Sequence, residues 1–227
     1  GDGSSLGLQF EYAVQKTPRG LAEAFIIGAD FIGAENVALI LGDNVFFGHG
    51  LPQQLRAAAL RKSGATIFAY RVTDPERYGV VEFSDDGSPI GFEEKPVEPK
   101  SPWAVTGLYF YDSAVIDIAR QLQPSSRGEL EIVDIHQAYL KAGNMSVERL
   151  GRGIAWLDTG THESLLQAGQ FVQTIEQRQN QKIACLEEIA LRMGYIDADA
   201  FHDLARMHGQ TTYGTYLRGI AEELTSN

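Results

Sequence analysis

Near the start of the chain Leu8, Phe10, Tyr12 and Val14 are separated by Gln9, Glu11 and Ala13. That period of two predicts a half-buried strand. Over residues 18–31 the period lengthens: Leu21, Ala24, Phe25 and Gly28 fall at helical spacing, with Pro18 near the start, the pattern of a helix. Residues 36–41 then form a continuous apolar run bounded by Gly42-Asp43, which suits a parallel strand buried on both faces. A helix over 52–62 and a strand over 65–71 follow. This β-α-β-α-β order predicts an open α/β sheet with right-handed crossovers.

The middle of the chain changes character. Residues 78–83 and 89–93, joined by Asp85-Asp86-Gly87-Ser88, read as a hairpin. Residues 103–111 form another strand, followed by a helix capped by Asp112 or Ser113. Ser126-x-x-Glu129 matches a capping box for a helix running through Tyr139. Short strands over 146–150 and 154–156 complete a mixed sheet. Beyond Thr161 the pattern is helical, with breaks near Cys185, Gly194 and Gly209-Gln210. The expected organisation is an α/β domain over 1–160 and a helical C-terminal extension over 161–227.

Composition narrows the function classes. The 227 residues are 44% hydrophobic and 22% charged, enough for a substantial core and unlike a disordered chain. Nineteen Lys and Arg against 30 Asp and Glu give a net charge of −11. That balance argues against nucleic acid as a partner, because phosphate contacts need clustered cations. The apolar runs are too short to span a bilayer, and no charged and apolar leader opens the chain. The single cysteine, Cys185, excludes an intrachain disulfide and fits a reducing compartment. A cytoplasmic protein without membrane partners is expected. With Gly1 in place of Met and a strand pattern almost at once, the sequence reads as beginning inside a longer one.

Four segments carry candidate chemistry. Leu41-Gly42-Asp43-Asn44 puts an acid just past an apolar strand, where ligands bind in open α/β sheets, although the same residues make an ordinary turn. Trp156-Leu157-Asp158-Thr159-Gly160 does the same ahead of a helix, where Asp158 also suits the helix dipole. Two such acids together match Mg²⁺, which takes hard oxygen ligands from one or two carboxylates plus substrate phosphates. Glu93-Glu94-Lys95-Pro96 offers a cation for a phosphate beside a carboxylate for sugar hydroxyls, or is simply a solvated charged turn. In the segment from Gln15 to Gly20, the amide matches a pyrimidine edge and the glycine permits close approach; as a helix start it needs neither. Arg127 is a phosphate fork or a surface cation. The five histidines lack metal-ligand spacing, so zinc is not expected.

Taken in order, several segments resemble one family. They are Gln15-x-x-Pro-x-Gly20-Leu-Ala, Leu-Gly-Asp43-Asn, Asp74-Pro-Glu-Arg-Tyr78-Gly79-Val-Val-Glu-Phe, Glu93-Glu94-Lys95-Pro, Thr106-Gly-Leu-Tyr-Phe, Arg127-Gly-Glu-Leu-Glu-Ile and Trp156-Leu-Asp158-Thr-Gly. The chain is identified as similar to the bacterial sugar-1-phosphate nucleotidylyltransferases over essentially its whole length. The resemblance implies a Rossmann-like nucleotidyltransferase sheet with its N-terminal strands missing. It also implies dTTP and α-D-glucose 1-phosphate as substrates, Mg²⁺ as cofactor, and a homotetramer whose C-terminal helices serve assembly and feedback. Asp43 and Asp158 would hold the metal and, with Lys95, carry the chemistry. Gln15, Gly20 and Asp43 would bind the nucleotide. Tyr78, Gly79, Glu94, Lys95, Val105, Arg127 and Trp156 would surround the sugar phosphate. The family's Gly-Gly-x-Gly-Thr-Arg-Leu phosphate loop does not occur in these 227 residues, so little activity is expected of them alone. The alternatives are a sibling using UTP or CTP, and an inactive homologue that binds sugar nucleotide or assembles with active subunits.

Overall fold

The structure, a computed structural model, describes residues 1–225. In chain order its regular elements are α1 (Glu23–Ile27), α2 (Ala29–Ile32), β1 (Val37–Ile40), β2 (Asn44–Gly48), α3 (Leu51–Ala59), β3 (Ala65–Arg71), β4 (Gly79–Phe83), β5 (Pro89–Glu94), β6 (Trp103–Tyr111), α4 (Val115–Gln121) and α5 (Ile132–Lys141). Then come β7 (Met145–Arg149), β8 (Ile154–Asp158), α6 (His162–Gln179), α7 (Leu186–Arg192), α8 (Ala198–Met207) and α9 (Thr212–Thr225). Single 3₁₀ turns occupy Ser4–Leu6 and Pro75–Arg77.

Two compact units emerge. One is residues 13–168; the other joins residues 1–12 to 169–227. The helical extension expected from residue 161 thus shares its unit with the first twelve residues, and the division falls within α6.

In the first unit the sheet runs β5-β4-β6-β3-β7, with β1 also paired to β6. β6 is long enough to carry β3 along one edge and both β4 and β1 along the other. β3 and β7 are parallel, while β1, β3 and β4 are antiparallel to β6. The sheet is mixed, as expected. Alternation builds its two faces. From β3, Ile67 joins a core with Phe25, Val115, Ile135 and Tyr139, while Phe68 joins Leu51, Ala58, Leu150 and Ile154 on the other side. Tyr109 and Tyr111 of β6 belong to the first core and Leu108 to the second. His136 is wholly buried in the first core, its Nε2 2.8 Å from the Tyr111 hydroxyl.

Three local expectations fail for identifiable reasons. Residues 8–14 form no strand: they find no ladder partner among the described residues, and Leu8 and Phe10 donate instead to Gly3 and Asp2 at 3.0 and 2.7 Å, leaving Tyr12 and Val14 exposed. β1 is antiparallel to β6 and not buried on both faces, because only one of its edges is paired and Ile40 is 62% exposed. Ser126 and Glu129 cap nothing; α5 begins later, with Glu131 at its N-cap, because Arg127 draws Glu129 and Glu131 into a loop of ion pairs. The breaks near Cys185, Gly194 and Gly209 fall where expected.

In the second unit, Cys185, Phe201, Ala205, Leu217, Ile220 and Ala221 form the core of the helices. Asp197 caps α8 by accepting from the Ala200 amide at 2.9 Å. Glu187 gathers the Tyr213 hydroxyl at 2.5 Å and His208 at 3.0 Å. Among the described residues no helix is long and apolar enough to cross a membrane.

Candidate active site

A strand pair that the sequence pattern did not reveal positions the two acids. β2 and β8 form a separate antiparallel ribbon whose first rung is Asn44 opposite Asp158. Asp43 immediately precedes that rung. Thr159 fastens the ends together, donating both its amide and its hydroxyl to the Asp43 carbonyl at 2.8 and 2.9 Å. The chain then passes Gly160, where a side-chain carbon would stand 3.7 Å from Asp158 Oδ2 and 3.8 Å from Asp43 Oδ2. One oxygen of each acid therefore faces the same small region.

The other oxygen of each acid is held by the protein. Asp43 Oδ1 accepts from the Asn44 amide at 2.8 Å, and Asp158 Oδ1 from the Tyr78 hydroxyl at 3.1 Å. Burial, reinforced by the Asp158 charge, pushes the Tyr78 phenol up to about 12, so it stays a donor at neutral pH. Arg77 lies 3.5 Å from Asp158 Oδ2 and is tied to Asp74 at 2.8 Å. Two carboxylates that each turn an oxygen toward one small region, that of Asp158 also within reach of Arg77, are a donor set that fits a hard divalent cation completed by substrate phosphates. No cluster of three or more His, Cys, Asp or Glu suited to a metal occurs among the described residues.

Beside the acids opens a cleft of about 280 Å³ lined by Tyr78, Gly79, Glu94, Lys95, Val105 and Trp156 as well as Asp43 and Asp158. It has the size and the mixed apolar and polar lining of a small-ligand site. The Trp156 indole is its wall, packed edge-on against Tyr70 and tilted on Tyr78, with ring centroids 5.8 and 5.2 Å apart. Gly79 leaves little room for a side chain, since a side-chain carbon there would meet Glu94 Oε2 at 3.1 Å and Val133 at 3.0 Å. Burial, then the neighbouring Glu131 charge, raises the Glu94 carboxyl. Lys95 is exposed at the rim, in the left-handed region at φ 44°, with its amide bonded to the Tyr78 carbonyl at 3.0 Å. A non-glycine residue in that conformation marks a position the surroundings over-determine.

Gln15, Gly20 and Arg127 fall elsewhere. They line an adjoining cleft of about 290 Å³ that shares Glu94 and Lys95 with the first. The Gln15 amide nitrogen donates to the Gly20 carbonyl at 3.1 Å and to Glu23 at 2.7 Å, bracing the turn. Gly20 adopts φ 103° because its backbone rests directly on that of Leu130. Arg127 is held among acids, 2.8 Å from Glu131, 3.2 Å from Glu129 and 3.6 Å from Glu94. Burial raises Glu131, but the Arg127 guanidinium and the Ser125 hydroxyl prevail and hold it below the usual carboxylate range.

Sequence reasoning missed two contributors, Asn44 and Arg77. Both stand next to residues it singled out, Asp43 and Tyr78. Nothing in a linear pattern shows that Asn44 reaches residues 107 and 156, or that Arg77 reaches residue 158.

The fold is a mixed α/β sheet with two acids beside a cleft of about 280 Å³ rimmed by a lysine. The chain belongs to the nucleotidyl transferase family, whose model matches residues 1–175. It is 56% identical over 217 residues to the glucose-1-phosphate thymidylyltransferase of Neisseria meningitidis, covering 96% of this chain and 75% of that protein. It is 53% identical over 222 residues to the enzyme of that name from Mycobacterium tuberculosis, covering 98% and 77%. Among solved structures, a Bacillus anthracis protein named as a glucose-1-phosphate thymidylyltransferase, in complex with a sucrose, superposes with a TM-score of 0.66 at 41% identity, over 75% of this chain and 68% of that one. A UDP-glucose pyrophosphorylase complexed with UDP-glucose shares the fold, with a TM-score of 0.63 at 22% identity over 73% and 66%.

Proposed function

We propose that this chain carries the sugar-phosphate, metal and base-reading parts of a glucose-1-phosphate thymidylyltransferase site. In that reaction a phosphate oxygen of α-D-glucose 1-phosphate attacks the α-phosphorus of dTTP. The bond from that phosphorus to the bridging oxygen breaks, and dTDP-glucose and pyrophosphate leave. The observation that carries the reading is the convergence of Asp43 Oδ2 and Asp158 Oδ2 beside the cleft, in a chain 56% identical to an enzyme of that name.

Phosphoryl transfer asks the protein mainly for position and charge. Asp43 and Asp158 would hold Mg²⁺, which when bound neutralises charge on the phosphates. Glu94 and the Val105 and Gly79 backbone would orient the sugar, with Trp156 and Tyr78 closing its side and excluding water. Lys95 would sit against the sugar's phosphate, and Arg127 would turn from its acids to the phosphates. Gln15 and Gly20 would face the thymine. The phosphate loop is not among these 227 residues, so we expect them alone to grip the triphosphate weakly.

The wider reading is of a cytoplasmic homotetramer supplying dTDP-glucose for dTDP-L-rhamnose and related surface sugars. In it the helical unit serves assembly and regulation; a cavity of about 500 Å³ in that unit, lined by residues such as Lys182, Arg192 and Tyr216, supports a ligand-binding role for it. The test is pyrophosphate release and nucleotide-sugar formation in protein that includes the phosphate loop, with dTTP, UTP and CTP compared. dTDP-glucose from dTTP is the expected product. Failure with all three nucleotides would leave the inactive homologue, and preference for UTP or CTP would point to a sibling enzyme.

A further inference from the structure

Asn44 occupies an unusual crossing point. Its Oδ1 accepts from the Trp156 indole at 2.6 Å and from the Gly107 amide at 3.0 Å. Both partners are donors that cannot accept. The orientation of the carboxamide is therefore not ambiguous, as it so often is for asparagine: the oxygen must face Trp156 and Gly107, and the NH₂ must face Asp43 Oδ1, 2.8 Å away. The approach to the central strand is close enough that a side-chain carbon on Gly107 would meet Asn44 Oδ1 at 2.7 Å. A half-buried residue clamped by two donors on the sheet and the sugar wall thus presents a fixed third donor to an exposed carboxylate.

We propose that Asn44 is a positioning residue that fixes which oxygen of Asp43 is offered to the divalent cation, and ties that choice to the place of Trp156. With Oδ1 engaged by the amide, Oδ2 is left facing the region it shares with Asp158 Oδ2. The Tyr78 hydroxyl performs the matching service for Asp158. Ligand orientation by an outer partner of this kind is worth about ten- to a hundredfold in metal affinity. The inference rests on the metal role proposed for Asp43 and Asp158.

The test uses Tb³⁺, a hard oxygen-seeking ion whose luminescence is sensitised by a nearby indole, titrated into the chain at about pH 8, where free carboxylates are ionised. Asn44→Ala removes donor and acceptor together. Asn44→Asp keeps an acceptor for Trp156 and Gly107 but replaces the donor with an anionic oxygen that cannot sit against Asp43 Oδ1. Tb³⁺ affinity is expected to fall about tenfold or more in both variants, while Trp156 emission stays as in wild type for Asn44→Asp and shifts for Asn44→Ala. Tb³⁺ affinity within twofold of wild type in folded Asn44→Ala, or equal to or tighter than wild type in Asn44→Asp, would overturn the proposal. If Asn44→Ala does not fold, Asn44→Asp decides alone. Asp158→Asn separates this from the underlying reading: unchanged Tb³⁺ binding in that variant defeats the two-acid metal site itself, whichever way Asn44 behaves.

Discussion

The guanidinium of Arg77 stands 3.5 Å from Oδ2 of Asp158, the same carboxylate oxygen that faces Asp43 across Gly160. Its side chain is 45% exposed and that of Asp158 25% exposed, so solvent screens the pair and its contribution to folding is small. Arg77→Ala is expected to change the unfolding free energy by less than about 1 kcal/mol in a denaturant titration. A larger loss would mean that Arg77 holds the 3₁₀ turn at Pro75–Arg77 and not merely a counter-charge.

Glycines separate close approach from mere flexibility. Gly107→Ala would press a methyl group on Asn44 and on Leu41, and overpacking of that kind costs about 1–3 kcal/mol. Gly169, inside α6 with nothing within 4 Å of a side-chain carbon, supplies the contrast: Gly169→Ala should stabilise by about 0.5–1 kcal/mol through helix propensity. Urea melts of the two variants check both signs at once, and only the first should also move Trp156 fluorescence.

Much of this architecture is legible in the chain itself. β3 and β6 span the residues that their patterns predict, because a strand carrying Ile67 and Phe68 to opposite cores must alternate within an apolar run. The Trp156 wall of the cleft and both acids are marked by motifs near strand ends. The β2–β8 ribbon is not legible, since Asn44–Gly48 follows a Gly-Asp pair that reads as a turn and its partner lies more than a hundred residues away. Direction is equally hidden: the apolar run of β1 looks the same whether its neighbour is parallel or, as found, antiparallel. The first strand expected at residues 8–14 shows the converse, a clean alternation without a partner to pair it.

His136 should make stability depend on acid. Complete burial lowers its pKa to about 3, against an ordinary value of 6.5. The unfolded chain takes up the proton that the folded one refuses, so this contribution is whole above about pH 6.5 and declines as pH falls toward 3. The slope from this one group is about 1.4 kcal/mol per pH unit. Denaturation measured between about pH 7 and 4 should show the loss, and His136→Asn should flatten that part of the profile relative to wild type.

Lys95 trades stability for charge. Its φ of 44° is strained for a residue with a side chain, and such strain is of order 1–3 kcal/mol. Lys95→Gly is expected to leave thermal stability unchanged or raise it by up to about 1 kcal/mol after the cost in unfolded-state entropy. The same change should weaken binding of α-D-glucose 1-phosphate, measured by calorimetry, because the rim loses its cation.

The central claim is that Asp43 and Asp158 act together on a ligand seated in the adjoining cleft. Calorimetric titration of dTDP-glucose with Mg²⁺ into the chain tests it most directly, with Asp43→Asn and Asp158→Asn alongside wild type. Saturable binding that weakens about tenfold or more in each variant is predicted, as expected for loss of a charged ligand to a bound cation. Equal affinity in wild type and either variant would contradict it.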